Sequence, residues 1–127
     1  MQFGRLAQAA LRFTQLVEQR VFEVLNDRFR EPVRISELAM VAAVHPVHFA
    51  RVFRAHYGVT PGVYMRRLRL QWAARQLAVT KTSLSQIAAE AGFSDQSHFG
   101  RVFKQHFGIP PGKIRVATEE DERLPSH

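Results

Sequence analysis

The sequence predicts an all-α fold made of two similar two-helix units with one helix linking them. Three observations carry this: an internal repeat, apolar stripes at helical spacing, and the lack of any strand pattern. His48-Phe49-Ala50-Arg51-Val52-Phe53-Arg54-Ala55-His56-Tyr57-Gly58-Val59-Thr60-Pro61-Gly62 realigns, shifted by 50, with His98-Phe99-Gly100-Arg101-Val102-Phe103-Lys104-Gln105-His106-Phe107-Gly108-Ile109-Pro110-Pro111-Gly112. Upstream, Ile35-Ser36-Glu37-Leu38-Ala39 matches Leu84-Ser85-Gln86-Ile87-Ala88 with a shift of 49, so the second copy gains one residue where a turn is expected. Two copies of a unit this short imply paired subdomains, because an open solenoid needs three or more repeats.

Each element has a local cause. Roughly Phe13 to Phe29 reads as a leading helix, with Leu16, Val17, Phe22, Leu25 and Phe29 available to pack on the first unit. In the second unit, Ser83 and Gln86 form a capping-box pattern that opens a helix through Ala91, where Gly92 stops it. Ser94 or Asp95 caps the next helix, which carries Phe99, Val102, Phe103 and His106 on one face. The first unit repeats the layout: Pro46 stands at a first helical position, and Phe49, Val52, Phe53 and His56 form the same core stripe. Arg34 is a poorer N-cap than Ser83. Gly58 and Gly108 end both second helices. Thr60-Pro61 restarts a linking helix to about Val79, with Leu70, Ala73, Ala74 and Leu77 as packing positions, and Lys81-Thr82-Ser83 is the turn between units.

Composition narrows the function. The 127 residues include 18 Lys+Arg against 11 Asp+Glu, a net charge of +7, and 46% are hydrophobic. One domain, or two very small ones, fits this length, and the apolar content is enough for a real core, so a disordered basic tail is not the default reading. The charge is uneven: residues 49–118 hold eleven basic and two acidic side chains, whereas residues 119–127 hold one and four. Such a surface favours a polyanion, above all nucleic acid. Fifteen of the basic residues are Arg, which suits bidentate contact with phosphate or guanine. The absence of Cys removes disulfides, thiolate nucleophiles and cysteine metal sites. Uninterrupted apolar runs fall well short of the roughly 20 residues of a bilayer span, and no secretory signal opens the chain, so a soluble cytoplasmic protein is expected.

Two helices joined by a short turn, the second basic and amphipathic, have the layout of a helix-turn-helix whose second helix enters the major groove. With the phenylalanines inside, the outward positions are Val47, His48, Ala50, Arg51, Arg54 and Ala55, and in the second copy Gln96, Ser97, His98, Gly100, Arg101, Lys104 and Gln105. Arg51 and Arg101 can grip guanine, Gln96 can pair with adenine, and Val47 can meet a thymine methyl. Arg54 and Lys104, one turn later, are placed for phosphate, as are His48 and Arg66, with Arg67 and Arg69 nearby.

These residues resemble the AraC/XylS-type bacterial transcription regulators. The likeness lies in Ile35 to Ala39, in His48 to Phe53, in Gly58-Val59-Thr60-Pro61 with Tyr64 and Arg69-Leu70, and above all in Ala91-Gly92-Phe93-Ser94-Asp95-Gln96-Ser97-His98-Phe99-Gly100-Arg101-Val102-Phe103-Lys104. It covers about residues 18 to 116, between a leading extension or linker (1–17) and an acidic tail (117–127). The resemblance implies seven helices in two helix-turn-helix subdomains, about 35–57 and 84–107, joined by a central linker helix at about 61–79. It implies two recognition helices in successive major grooves and base contacts from Val47, Ala50, Arg51, Gln96, Ser97, His98, Gly100 and Arg101. Ala50 and Gly100 offer almost no side chain, which shifts specificity to the two arginines and Gln96. Ile114 stands where an aromatic is common in the family.

Six His invite a metal reading, but no HExxH pattern or Cys partner is present, and no metal, cofactor or catalytic residue is expected. His56 and His106 read as core, His48 and His98 as surface. Partners implied are double-stranded DNA and RNA polymerase in a bacterial cytoplasm, associated with the nucleoid and not with a membrane. The resemblance implies a small-molecule effector only where an effector domain precedes the DNA-binding part; the sequence itself shows no ligand pocket. Met1 suits a complete small regulator, whereas Phe3 to Leu16 resembles the end of a longer linker. The rival reading is a protein-interaction module or anti-activator that binds a partner regulator instead of DNA. Enzymatic activity comes third, since the family's DNA-repair methyltransferases need a Cys that is missing here.

Overall fold

Six helices and a short seventh follow one another without a strand among the described residues, 2–116 of a computed structural model. They are α1 (Gln2–Arg28), α2 (Ile35–Val41), α3 (Pro46–Tyr57), α4 (Pro61–Val79), α5 (Leu84–Glu90), α6 (Gln96–Phe107) and α7 (111–116). The chain divides into two compact units, Met1–Met65 and Arg66–His127, with α4 running across the boundary.

In unit 1 the helices α2 and α3 close over the C-terminal half of α1. Val21, Leu25, Leu38, Ala39, Ala42, Phe49, Phe53 and Met65 are buried. The rings of Phe53, Tyr57 and Tyr64 cluster, with centroids 4.3 Å apart for Phe53 and Tyr57 and 5.7 Å, edge-on, for Phe53 and Tyr64. Unit 2 repeats the plan with Leu70, Ala73, Leu77, Ile87, Ala88, Ala91, Phe93, Phe99, Val102 and Phe103 in one buried cluster, and Trp72, Ala74, Leu84 and Ile114 packed against it. Phe99 stacks with Phe93 at 5.2 Å and with Phe103 at 5.5 Å. Arg115 on α7 donates to the carbonyls of Leu77 (3.4 Å) and Thr80 (3.1 Å), tying the last short helix to the end of α4.

The helix ends show why the boundaries fall where they do. Asp95 accepts a hydrogen bond from the His98 amide at 2.6 Å and Ser83 one from Gln86 at 3.2 Å, so α6 and α5 begin at capped positions. Ser83 forms half of the anticipated capping box, because the Gln86 side chain donates to Glu90 at 3.0 Å instead of turning back. Before α3, His45 supplies the cap: its Nδ1 accepts from the Val47 amide at 3.2 Å, with Pro46 first in the helix. Arg34 makes no side-chain cap at all. Gly58 (φ 78°) and Gly108 (φ 83°) leave α3 and α6 in the left-handed conformation.

Both short turns are Schellman motifs. Val44 donates to Ala39 and Ala43 to Met40, as Phe93 donates to Ala88 and Gly92 to Ala89, all at 3.0–3.1 Å. The turn demands a positive φ at its pivot, which Gly92 (95°) adopts freely and Ala43 (56°) adopts against its Cβ.

Several sequence expectations are corrected. The leading helix starts at Gln2 and ends at Arg28, not at 13 and 29. Phe22 is 47% exposed, because Val21 and Leu25, not Phe22, hold the inward stripe of α1. Val52 is 46% exposed although its counterpart Val102 is buried. His56 and His106 lie on the surface, not in the core: the i, i+4 phenylalanine pairs fill the inner face and leave the next turn outside. The anticipated packing of Leu16 and Val17 and the acidic tail at 117–127 lie outside the described residues.

Two substitutions test the role of the turns and caps. Ala43→Gly is expected to raise the stability of unit 1 by about 1 kcal/mol, and Asp95→Ala to lower that of unit 2 by a similar ~1 kcal/mol, both read as shifts in denaturant midpoint at constant m-value.

Candidate nucleic-acid interface

The inner faces of α3 and α6 fix what their outer faces present. Phe49 and Phe53 are buried on α3, Phe99 and Phe103 on α6, each pair four residues apart. Residues at i, i+3, i+4 and i+7 form a stripe on a helix. The stripe opposite the phenylalanines is Val47, Ala50, Arg51 and Arg54 on α3, and Ser97, Gly100, Arg101 and Lys104 on α6. The two stripes superimpose with the repeat shift of 50.

Exposure follows the pattern. On α3, Val47, His48, Arg51 and Arg54 are exposed, Val47 to 63%, and Ala50 is half-buried. On α6, Gln96, Ser97, Arg101 and Lys104 are exposed, whereas His98 and Gly100 are half-buried. The ring of His98 packs edge-on against Phe93 with centroids 5.9 Å apart, which holds it near the start of the helix. Neither α3 nor α6 contains an acidic residue, so Arg51, Arg54, Arg101 and Lys104 face solvent with no carboxylate on their own helix. Asp95, the nearest acid before α6, spends its carboxylate on the His98 amide.

Arg66 and Arg67 on α4 are exposed and Arg69 is half-buried. Burial, reinforced by the neighbouring charge of Arg66, lowers the Arg69 pKa from its ordinary value. The Tyr57 hydroxyl is pushed above its ordinary range by burial first, and then by Tyr64 and the Glu18 carboxylate. Arg28, by contrast, is committed to Glu31 (2.8 Å) and Glu37 (3.3 Å) on an exposed surface.

Gly100 has a specific geometry. It lies within α6 with no positive φ, and a Cβ built there meets nothing within 4 Å. Internal packing therefore gives no reason for a glycine that costs its helix about 1 kcal/mol relative to alanine.

Sequence reasoning missed two features. The capping role of His45 needed the turn geometry to be seen, and an apolar cavity in unit 1, lined from α1, the turn before α3 and α3 itself, has no signal in the sequence. Among the described residues, no group of three or more His, Cys, Asp or Glu could hold a metal ion, and no helix is long and apolar enough to cross a membrane.

A family of helix-turn-helix domains matches residues 38–117 of the chain. The chain belongs to the AraC-type helix-turn-helix family. Its fold is similar to that of an AraC-type transcriptional regulator from Chromobacterium violaceum (TM-score 0.76, 26% identity, 89% of this chain and 97% of the other). It is likewise similar in fold to the DNA-binding domain of the global transcriptional factor AdpA, crystallised with a target DNA (TM-score 0.75, 23% identity, 86% and 97%). A helix-turn-helix-type transcriptional regulator of Mycobacterium tuberculosis is 48% identical over 60 residues, 47% of this chain and 23% of the relative. The chain spans between 22% and 32% of the length of the curated relatives it matches.

The vacancy beside Gly100 predicts that Gly100→Ala stabilises the isolated protein by about 1 kcal/mol, measured as a rise in denaturant midpoint; a loss of stability would mean that the helix needs the glycine for its own packing.

Proposed function

We propose that this chain is a sequence-specific DNA-binding transcription regulator, an activator that places α3 and α6 in successive major grooves of one duplex. The observation that carries the reading is the pair of matching outward stripes, each with two cations and no acid on its helix. A domain of the same fold is bound to a target DNA in the AdpA structure. In this reading residues 18–116 are the DNA-binding module, RNA polymerase is the protein partner, and the complex works in the cytoplasm on the nucleoid.

The roles divide by distance along each helix. Arg51 and Arg101 contact guanine edges bidentately, Gln96 an adenine, and Val47 a thymine methyl, with Ser97 and His98 contributing at the start of α6. Arg54 and Lys104, with His48 and Arg66, grip backbone phosphates and set register. Ala50 and Gly100, at equivalent places in the two stripes, let the helix backbone approach the bases closely. The positive excess over residues 49–118 supplies the salt-dependent, sequence-independent part of the affinity.

Titration of labelled promoter fragments against rising salt tests the reading. Affinity is expected to fall steeply with salt and to exceed that for random duplex; insensitivity to salt or lack of preference overturns it. Arg101→Ala is expected to relax specificity at one base position by about 1–3 kcal/mol, whereas Lys104→Ala weakens all sequences alike and lowers the salt slope by about 1. A binding-site selection experiment that ranks the two the other way would reverse the assignment. Gly100→Ala, although stabilising, is expected to weaken specific binding, since the new Cβ points to the groove.

A further inference from the structure

Each two-helix unit is preceded by a helix whose inward stripe has the same spacing: Glu18, Val21 and Leu25 on α1, and Leu70, Ala73 and Leu77 on α4. In unit 2 all three positions are at most 1% exposed, and Val102 on α6 is closed over in the same cluster. In unit 1 Val21 and Leu25 stay buried, but Glu18 stands where unit 2 has Leu70, and Val52, the counterpart of Val102, is 46% exposed. A carboxylate cannot fill an apolar space as a leucine does, because burying its charge without full pairing is costly. Beside Glu18 lies a cavity of about 310 Å³, walled by Val21, Phe49, Val52 and Phe53, with Glu18, His48 and His56 also lining it.

We propose that this cavity is a binding site for a small apolar cation, an aromatic ring on a short alkylamine, whose ammonium is received by Glu18. Size supports a molecule of this kind. The volume is about twice that of the ~150 Å³ cavity that takes up benzene, and it lies at the lower end of the ~300–1,000 Å³ range of ligand sites. Charge selects the head group. Among the described residues of the lining Glu18 is the one acid, beside His48 and His56 and with neither Lys nor Arg. Its Oε1 lies 3.3 Å from His56 Nδ1, and a carboxylate has further acceptor positions for an ammonium. The rings of Phe49, Phe53 and Tyr57 in the same lining offer faces that attract a cation and edges that pack on an arene.

The test uses the full chain without DNA, so that its outcome is independent of the DNA-binding reading. 2-Phenylethylamine is titrated while backbone amide shifts are followed by NMR. Saturable shifts at Val21, Ala42, Val44 and Val52 are expected, with a midpoint below about 1 mM. 2-Phenylethanol, of equal shape but uncharged, is expected to bind about tenfold more weakly, and Glu18→Gln to lower amine affinity by about the same factor. Glu18→Leu, which installs the residue used at Leu70, is expected to abolish binding and raise the melting temperature of unit 1. Absence of saturable shifts up to about 5 mM, or equal binding of amine and alcohol by the native chain, would overturn the proposal. Unchanged amine affinity in a Glu18→Gln protein that keeps its native spectrum would do so as well.

Discussion

Two phenylalanines four residues apart on each of α3 and α6 set the orientation of everything else on those helices. Phe49 and Phe53, like Phe99 and Phe103, are at most 5% exposed. Removing one such ring costs about 3–5 kcal/mol, which exceeds the preference of any surface residue for another orientation. Rotation of either helix about its axis is thereby excluded. Because the helical period is 3.6, burial of positions 49 and 53 leaves 47, 51 and 54 outside and 50 at the margin by geometry alone, and the same holds fifty residues on. The cations on the outer faces contribute little to folding; they are held in place by a core they do not touch.

Much of this was legible in the sequence because the repeat doubled each signal. The phenylalanine stripe, the terminal glycines and Pro46 occur at predictable offsets, and each is a short-range effect. What was not legible depended on tertiary neighbours. Val52 and Val102 are identical residues in matching helices, yet one is half-exposed and the other buried: Val102 shares a buried cluster with Leu70, whereas Val52 lines an apolar cavity with Glu18. His56 and His106 look like core by spacing alone, but the inner face is already filled by the rings before their turn is reached. Phe22 shows the same lesson in α1: two inward positions, Val21 and Leu25, suffice, and the larger neighbour is left outside. The outward stripes were readable as a face, since a face follows from what is buried; the cavity was not, since it depends on how side chains of different helices meet.

The repeat also reveals where the two units have diverged: Gly100 against Ala50 weakens α6, and the other differences run against unit 1. Unit 2 opens its first helix with the Ser83 cap, turns on a glycine at 92, closes the stripe with Leu70, and is fastened at its end by Arg115 on the carbonyls of Leu77 and Thr80. Unit 1 opens on the uncapped Arg34, turns on Ala43 at a positive φ, and leaves its stripe open at Glu18. A missing cap and a left-handed alanine each cost on the order of 1 kcal/mol, against about 1 kcal/mol for Gly100 in α6, so these local terms together favour unit 2. Local opening is drawn from the less stable part of a structure. Amide exchange should therefore report earlier opening of α2 and α3 than of α5 and α6. If both outer stripes meet one duplex, unit 2 is the preformed anchor, and unit 1 is the half whose ordering responds to what binds beside it. The same Glu18 that lines the cavity thus belongs to the more adaptable of the two units, where a bound molecule can add most to order.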